Sequence, residues 1–334
     1  MSEPATGIAY IRKRAAEHGA KKKTEATPLV EGVLETDFVD ARPAHEFVGP
    51  VISAQEVKTQ RKTADGTIVE QLDFFPVALV DAALKSDMAS MEHPFFSLAK
   101  RKDLKIRHYE HNGNSVTITP SVNGMATIWD KDVLLYAASA LSDALNRGGT
   151  VSRTIRIHAH DLLRYTGRGT GKRSYDNLQA AFERLTGTRI KTDITTGGTR
   201  KREGFGLIER WKIVQRVSSS RMDSIEIMLS DWFYDSVIHS EVLTMNREYF
   251  SLTGGLERRL YEIARKFVGR QPKFTISLSN LYKKSGSTST LRDFRRNIKE
   301  VAEADPLPDY TIDYDLAKGN VTFRPRRAEL SVTA

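Results

Sequence analysis

The chain has 334 residues, a formal net charge of +9 and no cysteine. That length is enough for two domains with cores of their own, and the positive balance favours a polyanionic partner. The lack of cysteine excludes disulfides, thiolate zinc sites and a cysteine nucleophile. The charged N-terminus carries no apolar run of signal-peptide type. The longest apolar stretch, Val133 to Leu141, is about half the length of a membrane span. A cytoplasmic protein with no membrane partner is expected.

The charge is unevenly placed. Leu29 to Ala99 holds 5 Lys/Arg against 12 Asp/Glu, Arg164 to Arg216 holds 13 against 5, and Leu256 to Lys299 holds 12 against 3. A charge run is ordinarily a solvated face. Two basic stretches, each on a helix-turn-helix pattern, point instead to nucleic acid.

In chain order, residues 1–50 are poor in large apolar side chains and read as a mobile arm. Its cations, Arg12 to Arg14 and Lys21 to Lys23, can brush phosphates or do nothing specific. Residues 51–90 read as an acidic linker or extension, with a strand over Gln71 to Phe75. Lys105 to Glu110 and Ser115 to Thr119 alternate with period two around Asn112-Gly113, which predicts a hairpin. Thr127-Ile-Trp-Asp130 has the form of a helix start. The helix should run to about Asn146, bury Ile128, Val133, Leu134, Leu141 and Leu145, and end at Gly148-Gly149. Thr154 to Ile157 is a short strand leading into His158-Ala-His-Asp-Leu-Leu, a second helix.

The next helix is the sharpest functional candidate. Tyr175, Leu178, Phe182 and Leu185 fall on one face of a 3.6-residue period. Arg173, Asp176, Asn177, Ala180 and Arg184 fall on the other, and Lys172 and Ser174 stand at its start. Arg189 to Ile194 and Phe205 to Val214 then flank a Gly197-Gly198 turn, a hairpin whose tip bears Arg200, Lys201 and Arg202. Two helices followed by a basic hairpin is the winged helix-turn-helix pattern, in which the second helix enters the major groove. Ser224 to Leu229 closes this first domain, residues 91–238.

A second unit spans 239–327, followed by a tail at 328–334. A helix starting at Asn246 or Ser251 runs through Leu260, Ile263, Ala264 and Phe267. Phe274 to Leu278 is a strand, Ser279 to Gly286 a short helix and turn, and Leu291, Phe294, Ile298 and Val301 mark a further helix. That spacing repeats the one at Tyr175, shifted by 116. Its outward face carries Ser289, Arg292, Asp293 and Arg296, with Arg295 and Lys299 on the flank. Tyr310 to Tyr314 and Asn320 to Phe323 form another hairpin. The same order of elements therefore occurs twice, and a duplicated architecture is the reading. The fold class is α+β: tandem winged-helix domains with a flexible N-terminal arm. Arg can pair bidentately with guanine and Asn with adenine, though phosphate contact is the commoner fate of a basic side chain at a DNA surface.

Two other motifs compete. Gly167-Arg-Gly-Thr-Gly-Lys172 has the wrong spacing for a phosphate loop of nucleotide-binding type, and Arg173 replaces the magnesium-binding hydroxyl. It reads as the turn before the helix, whose free N–H groups can hold a DNA phosphate. His158-Ala-His160 has the form of a nickase metal site, but the one Tyr-x-x-Lys, Tyr10 to Lys13, lies in the arm. The two histidines read better as a helix cap. No cofactor, no metal and no enzymatic activity are expected.

Several words of the chain resemble the plasmid replication initiator protein A family. They are Thr127-Ile-Trp-Asp-Lys-Asp-Val-Leu, the segment Ile157 to Gly167, Lys172-Arg-Ser-Tyr175 with Leu178, Leu185-Thr-Gly-Thr-Arg-Ile190, Leu229-Ser-Asp-Trp-Phe233, Phe250-Ser-Leu252 and Glu257-Arg-Arg-Leu-Tyr261. The resemblance runs from about Glu92 to Pro325. It implies winged-helix domains that bind repeated double-stranded sites in a plasmid origin. It also implies a homodimer in equilibrium with monomer, self-association through the first domain, and repression of the protein's own promoter. Host replication proteins, the initiator ATPase and the replicative helicase, are the further partners it implies. A plain transcriptional repressor would need the same DNA surface.

Overall fold

The computed structural model describes residues 59–62, 68–71, 75–77, 82–111, 114–196, 199–215 and 222–326. The arm, the Asn112-Gly113 and Gly197-Gly198 turns and the C-terminal tail lie outside them. The first described strands are β1 (Thr59–Lys62) and β2 (Ile68–Gln71), which pair with each other, and β3 (Phe75–Val77). The strand predicted over Gln71 to Phe75 is thus the end of one strand and the start of another.

The first unit is built on a buried helix. Thr127 and Asp130 exchange capping bonds, Thr127 N donating to Asp130 Oδ2 at 2.8 Å and Asp130 N to Thr127 Oγ1 at 3.3 Å. A turn later the chain is helical, and the residues from Lys131 to Ser142 are all buried. Ahead of this helix come β4 (Lys85–Asp87), α1 (Met88–Glu92), β5 (Arg107–His111) and β6 (Asn114–Thr119). The buried helix itself is α2 (Lys131–Asn146), stopped where Gly148 turns left-handed. After it follow β7 (Thr154–His158), α3 (Ala159–Tyr165) and α4 (Lys172–Gly187). Next are β8 (Arg189–Thr196), β9 (Thr199–Gly206), β10 (Ile208–Gln215) and β11 (Met222–Leu229), and then α5 (Asp231–Ile238).

A hairpin does follow α4, but its second strand is Thr199–Gly206, which holds Arg200, Lys201 and Arg202, and it is not the hairpin that completes the sheet beside α4. β8 and β9 join β6 and β5 in a separate sheet of order β5-β6-β8-β9. The physical reason is register: Ile190 and Thr192 of β8 lie opposite Ile118 and Val116 of β6, so their buried side chains share one face. The chain bends at Leu207, and β10 and β11 form the hairpin that returns to β7 in the order β10-β11-β7-β3. The tip of that hairpin, residues 216–221, lies outside the described residues. The strand read as Phe205 to Val214 is therefore two strands in two sheets.

The second unit contains β12 (Val242–Thr244), a 3-10 turn (Arg247–Ser251), α6 (Gly255–Val268), β13 (Phe274–Ser277), α7 (Leu278–Ser285), α8 (Leu291–Ala304), β14 (Tyr310–Asp315) and β15 (Asn320–Pro325). Asn246 caps the 3-10 turn, accepting from Glu248 N at 2.9 Å, and α6 starts afresh at Gly255. Its sheet has the order β13-β15-β14. In each unit the strand before the helix pair, β7 or β13, thus pairs with the last hairpin strand, and that strand pairs with the first. The helices align as well. Leu178, Phe182 and Leu185 of α4 are buried, and so are Phe294, Ile298 and Val301 of α8. At the entry position Tyr175 is half-buried and Leu291 is 42% exposed.

The stretch read as an acidic linker or extension contributes strands to both units. β3 pairs parallel with β7 on the edge of the first unit's sheet. β4 pairs with β12, next to the junction of the two units. One connected apolar core runs through both units, from Leu84 to Phe323.

Candidate nucleic-acid interface

The two helices that follow the helix-turn step, α4 and α8, carry the candidate residues. α4 starts at Gly171, which offers no side-chain cap. Among the described residues no side chain caps its first turn, and Ser174 N donates to Gly171 O at 2.9 Å. Lys172, Arg173, Asp176 and Asn177 are exposed and Ser174 is half-buried. The preceding glycine turn is anchored, because Gly167 is left-handed with φ 68 and the Arg168 guanidinium donates to Asp132 Oδ2 at 2.7 Å. This arrangement can receive a phosphate at the helix start with cations on either side.

Arg184 is a correction. It lies on the flank facing α2, and its Nε and Nη2 donate to the two Asp130 carboxylate oxygens, both at 2.7 Å. Asp130 is 3% exposed. The hydrogen bond to Asp130 raises the Arg184 pKa further. A bidentate pair of this kind fixes α4 on α2 and leaves the guanidinium occupied. Of the hairpin cations, the side chains of Arg200 and Lys201 lie outside the described residues. Arg202 is exposed and its Nε donates to Asp193 Oδ2 at 3.0 Å. All three belong to the sheet of β5, β6, β8 and β9. Exposed Arg189 and Lys191 of β8 lie near Arg202 around one open hollow. No periodic signal in the sequence singles these two out.

α8 is built differently at its start. Thr290 caps it, accepting from Asp293 N at 3.1 Å, and Asp293 accepts the Thr290 hydroxyl at 2.9 Å. Ser289 precedes the helix rather than lying on its face. It shares a hydroxyl hydrogen bond with Ser287 at 2.9 Å, and its carbonyl accepts from Tyr282 OH at 2.7 Å. Arg292 and Arg295 are exposed, and no carboxylate among the described residues pairs with either. Arg296 lies 3.0 Å from Asp293 and 3.7 Å from Glu300, and Lys299 lies 3.7 Å from Glu303. Exposed pairs within one helix are worth under about 1 kcal/mol and open readily to a competing anion.

His158 occupies the N-cap position of α3 with no side-chain cap bond, so its position, not its ring, matches a capping role. His160 Nδ1 lies 3.5 Å from Asp161 Oδ1. Among the described residues no cluster of three His, Cys, Asp or Glu side chains is placed to hold a metal. Tyr10 to Lys13 lies outside the described residues. No helix among them is long and apolar enough to cross a membrane.

The family model described as replication initiator protein A matches residues 85–312. The chain belongs to that family. A protein of Wigglesworthia glossinidia brevipalpis, provisionally described as a replication protein, is 38% identical over 248 residues, covering 73% of this chain and 90% of that one. The fold is similar to the crystal structure of domains 2 and 3 of RctB, with a TM-score of 0.52, 16% identity, and coverage of 72% of this chain and 98% of the other. The initiator family words now have places. Ser230 of the Leu229-Ser-Asp-Trp-Phe word caps α5, and Trp232 stacks on Phe205 at 4.6 Å. The words around Lys131 and Arg258 meet each other across the two units.

Proposed function

We propose that this initiator is a non-enzymatic protein that binds repeated duplex sites at a plasmid origin, using two winged-helix units. α4 and α8 enter successive major-groove segments, and the hairpins β10–β11 and β14–β15 are the wings. Arg173, Asn177, Arg292 and Arg295 are the side chains placed to reach bases. Lys172, Ser174 and the start of α4 hold a backbone phosphate. Arg296 and Lys299 turn from their own-helix carboxylates to phosphates when DNA is bound. The observation that carries the reading is the doubled topology, with each unit presenting an exposed cationic face on the equivalent helix. Bending the duplex over two such contacts costs on the order of 1–6 kcal/mol, offset by added phosphate contacts. The strain favours opening of an adjacent A·T-rich segment. Recruitment of the host initiator ATPase and replicative helicase, a monomer–dimer equilibrium and repression of its own promoter complete the proposed role. No cofactor is needed.

A gel-shift series on the parent replicon's origin repeats tests this. The full chain should prefer repeats over scrambled duplex, and Arg173→Ala with Asn177→Ala should lose that preference while keeping weak, salt-sensitive binding. Equal affinity of the full chain for repeat and scrambled duplex would refute the reading.

A further inference from the structure

Between the two units lies a buried charged contact. Three consecutive residues at the start of α2 face three different ways. Asp130 holds α4 through Arg184. Lys131, fully buried, places Nζ 2.8 Å from Glu262 Oε1 of α6. Asp132 accepts from Arg258 Nη1 of α6 at 2.7 Å on Oδ1 and from Arg168, in the turn before α4, at 2.7 Å on Oδ2.

On the other side, α6 is equally committed. Glu262 also accepts from Tyr249 OH at 2.9 Å and pairs with Arg259 at 3.2 Å. Arg258 Nε donates to Leu252 O at 2.7 Å. Arg259 reaches two helix ends. Its Nη1 donates to the carbonyls of Ser90 and Met91 in α1, and its Nη2 to those of Glu92 and of Lys284 in α7. α7 packs on α8 through Tyr282 and Phe294, whose rings lie edge to face at 5.2 Å. The backbones meet closely at two glycines. A Cβ on Gly255 would lie 2.3 Å from Leu98 O, and one on Gly286, itself left-handed, 2.5 Å from Pro94 Cβ. A second tie runs from Arg107 Nη1 of β5 to Gly286 O at 2.9 Å.

An apolar interface can slide by a fraction of a side chain. A buried ionic one cannot, because each displaced charge loses its only partners in a medium that does not solvate it. The contact therefore holds one geometry. It is a continuous path from α4, through Arg184, Asp130 to Asp132, Arg258 to Glu262 and α7, to α8.

We propose that the ionic contact of Asp130, Lys131 and Asp132 with Arg258, Arg259 and Glu262 fixes the helical phase between the two DNA-reading helices, and so sets the spacing between the two parts of the site. These are positioning residues, with no DNA contact of their own. The inference rests on the proposed DNA-binding role of α4 and α8. It predicts that spacing, as distinct from base identity, is encoded at the junction between the units.

The test uses the full chain and a random-sequence duplex library. Selection with the unaltered chain should enrich two half-motifs at a single spacing. Two variants loosen the contact: Arg258→Met with Asp132→Asn, which strands only the partly exposed Arg168, and Lys131→Met with Glu262→Gln, which leaves Arg259 on its four carbonyl partners. Circular dichroism identifies which of them keeps the native fold. A folded variant should enrich the same half-motifs at several spacings, and should lose at least tenfold less affinity than the unaltered chain when about 5 base pairs, half a helical turn, are inserted between them. The same single spacing in a folded variant would overturn the proposal.

A readout without DNA separates this from failure of the DNA-binding reading. The chain has no cysteine, so Gln179→Cys on α4 and Glu303→Cys on α8 can carry spin labels alone. The α4-to-α8 distance distribution should be narrow in the parent and at least twice as wide in a folded variant. Equal widths in parent and variant would overturn the fixed-phase claim, even if the library enriched nothing.

Discussion

α4 and α8 occupy equivalent places in equivalent folds, yet they present different surfaces. α4 begins on a bare glycine, with Lys172 and Arg173 exposed beside its open first turn. α8 begins under a Thr290 cap with Asp293 in its first turn, and two of its four candidate cations lean on carboxylates of the same helix. The difference teaches that a count of basic residues does not measure a DNA surface. What matters is which cations are already spent inside the protein. Arg258 and Arg259 add to the basic tally of the second unit, yet they are 3% and 2% exposed. Under the proposed reading, α4 would supply the larger share of anion affinity, and α8 orientation and a second reading point.

The comparison can be broken most forcefully at the junction. Glu262→Ala leaves Lys131 and Arg259 buried without their carboxylate, so it should cost about 3–5 kcal/mol, read as a lower urea midpoint shared by both units. Separate transitions for the two units would show that the junction does not couple them. Next, Leu178→Ala and Phe294→Ala remove buried side chains from equivalent positions, and each should cost about 2–5 kcal/mol. Like losses in calorimetry support the equivalence of the helices, and a loss in one alone would deny it.

Smaller effects sharpen the contrast between the helix starts. Thr290→Ala should cost about 1 kcal/mol by removing a cap, with little effect on DNA affinity. Gly171→Asp should do the reverse. It supplies a cap and a favourable charge at the helix start, so the melting temperature rises while DNA affinity falls about tenfold or more at low salt. A gain or no change in affinity would show that the start of α4 holds no phosphate.

A further effect is in pH. Burial, with the Lys284, Arg259 and Lys266 cations nearby and against the pull of Glu92, pushes the His93 imidazole down from 6.5 to about 4. The unfolded chain therefore binds the extra proton first. Stability should be full above about pH 6.5 and decline as pH falls toward 4. His93→Gln should flatten that slope in melting curves taken across the window, and an unchanged slope would remove His93 as its source.

Local elements were legible because their signals are local. The 3-4-3 spacing at Leu178 and Phe294, the capping pattern at Thr127 and Asp130, and the glycines at 148 and 149 all found their expected places. What was not legible depended on partners far along the chain. Nothing in residues 189–206 says that the hairpin pairs with β6 rather than with the sheet of β7, because the register that matches Ile190 and Thr192 to Ile118 and Val116 depends on residues some 70 positions earlier. Arg184 has the helical spacing of an outward residue, and only the position of Asp130, 54 residues earlier, turns it inward. Lys131, Arg258 and Arg259 look like surface charge for the same reason. The acidic stretch before residue 90 gave no hint that β3 and β4 belong to sheets with β7 and β12.

The central claim is that both units read one duplex at once. Hydroxyl-radical footprinting of the full chain on a single origin repeat tests it most directly, repeated with Arg173→Ala/Asn177→Ala and with Arg292→Ala/Arg295→Ala. The account predicts two protected segments about one helical turn apart, one weakened by each pair of substitutions. A single protected segment, or two that respond only to changes in α4, would contradict it.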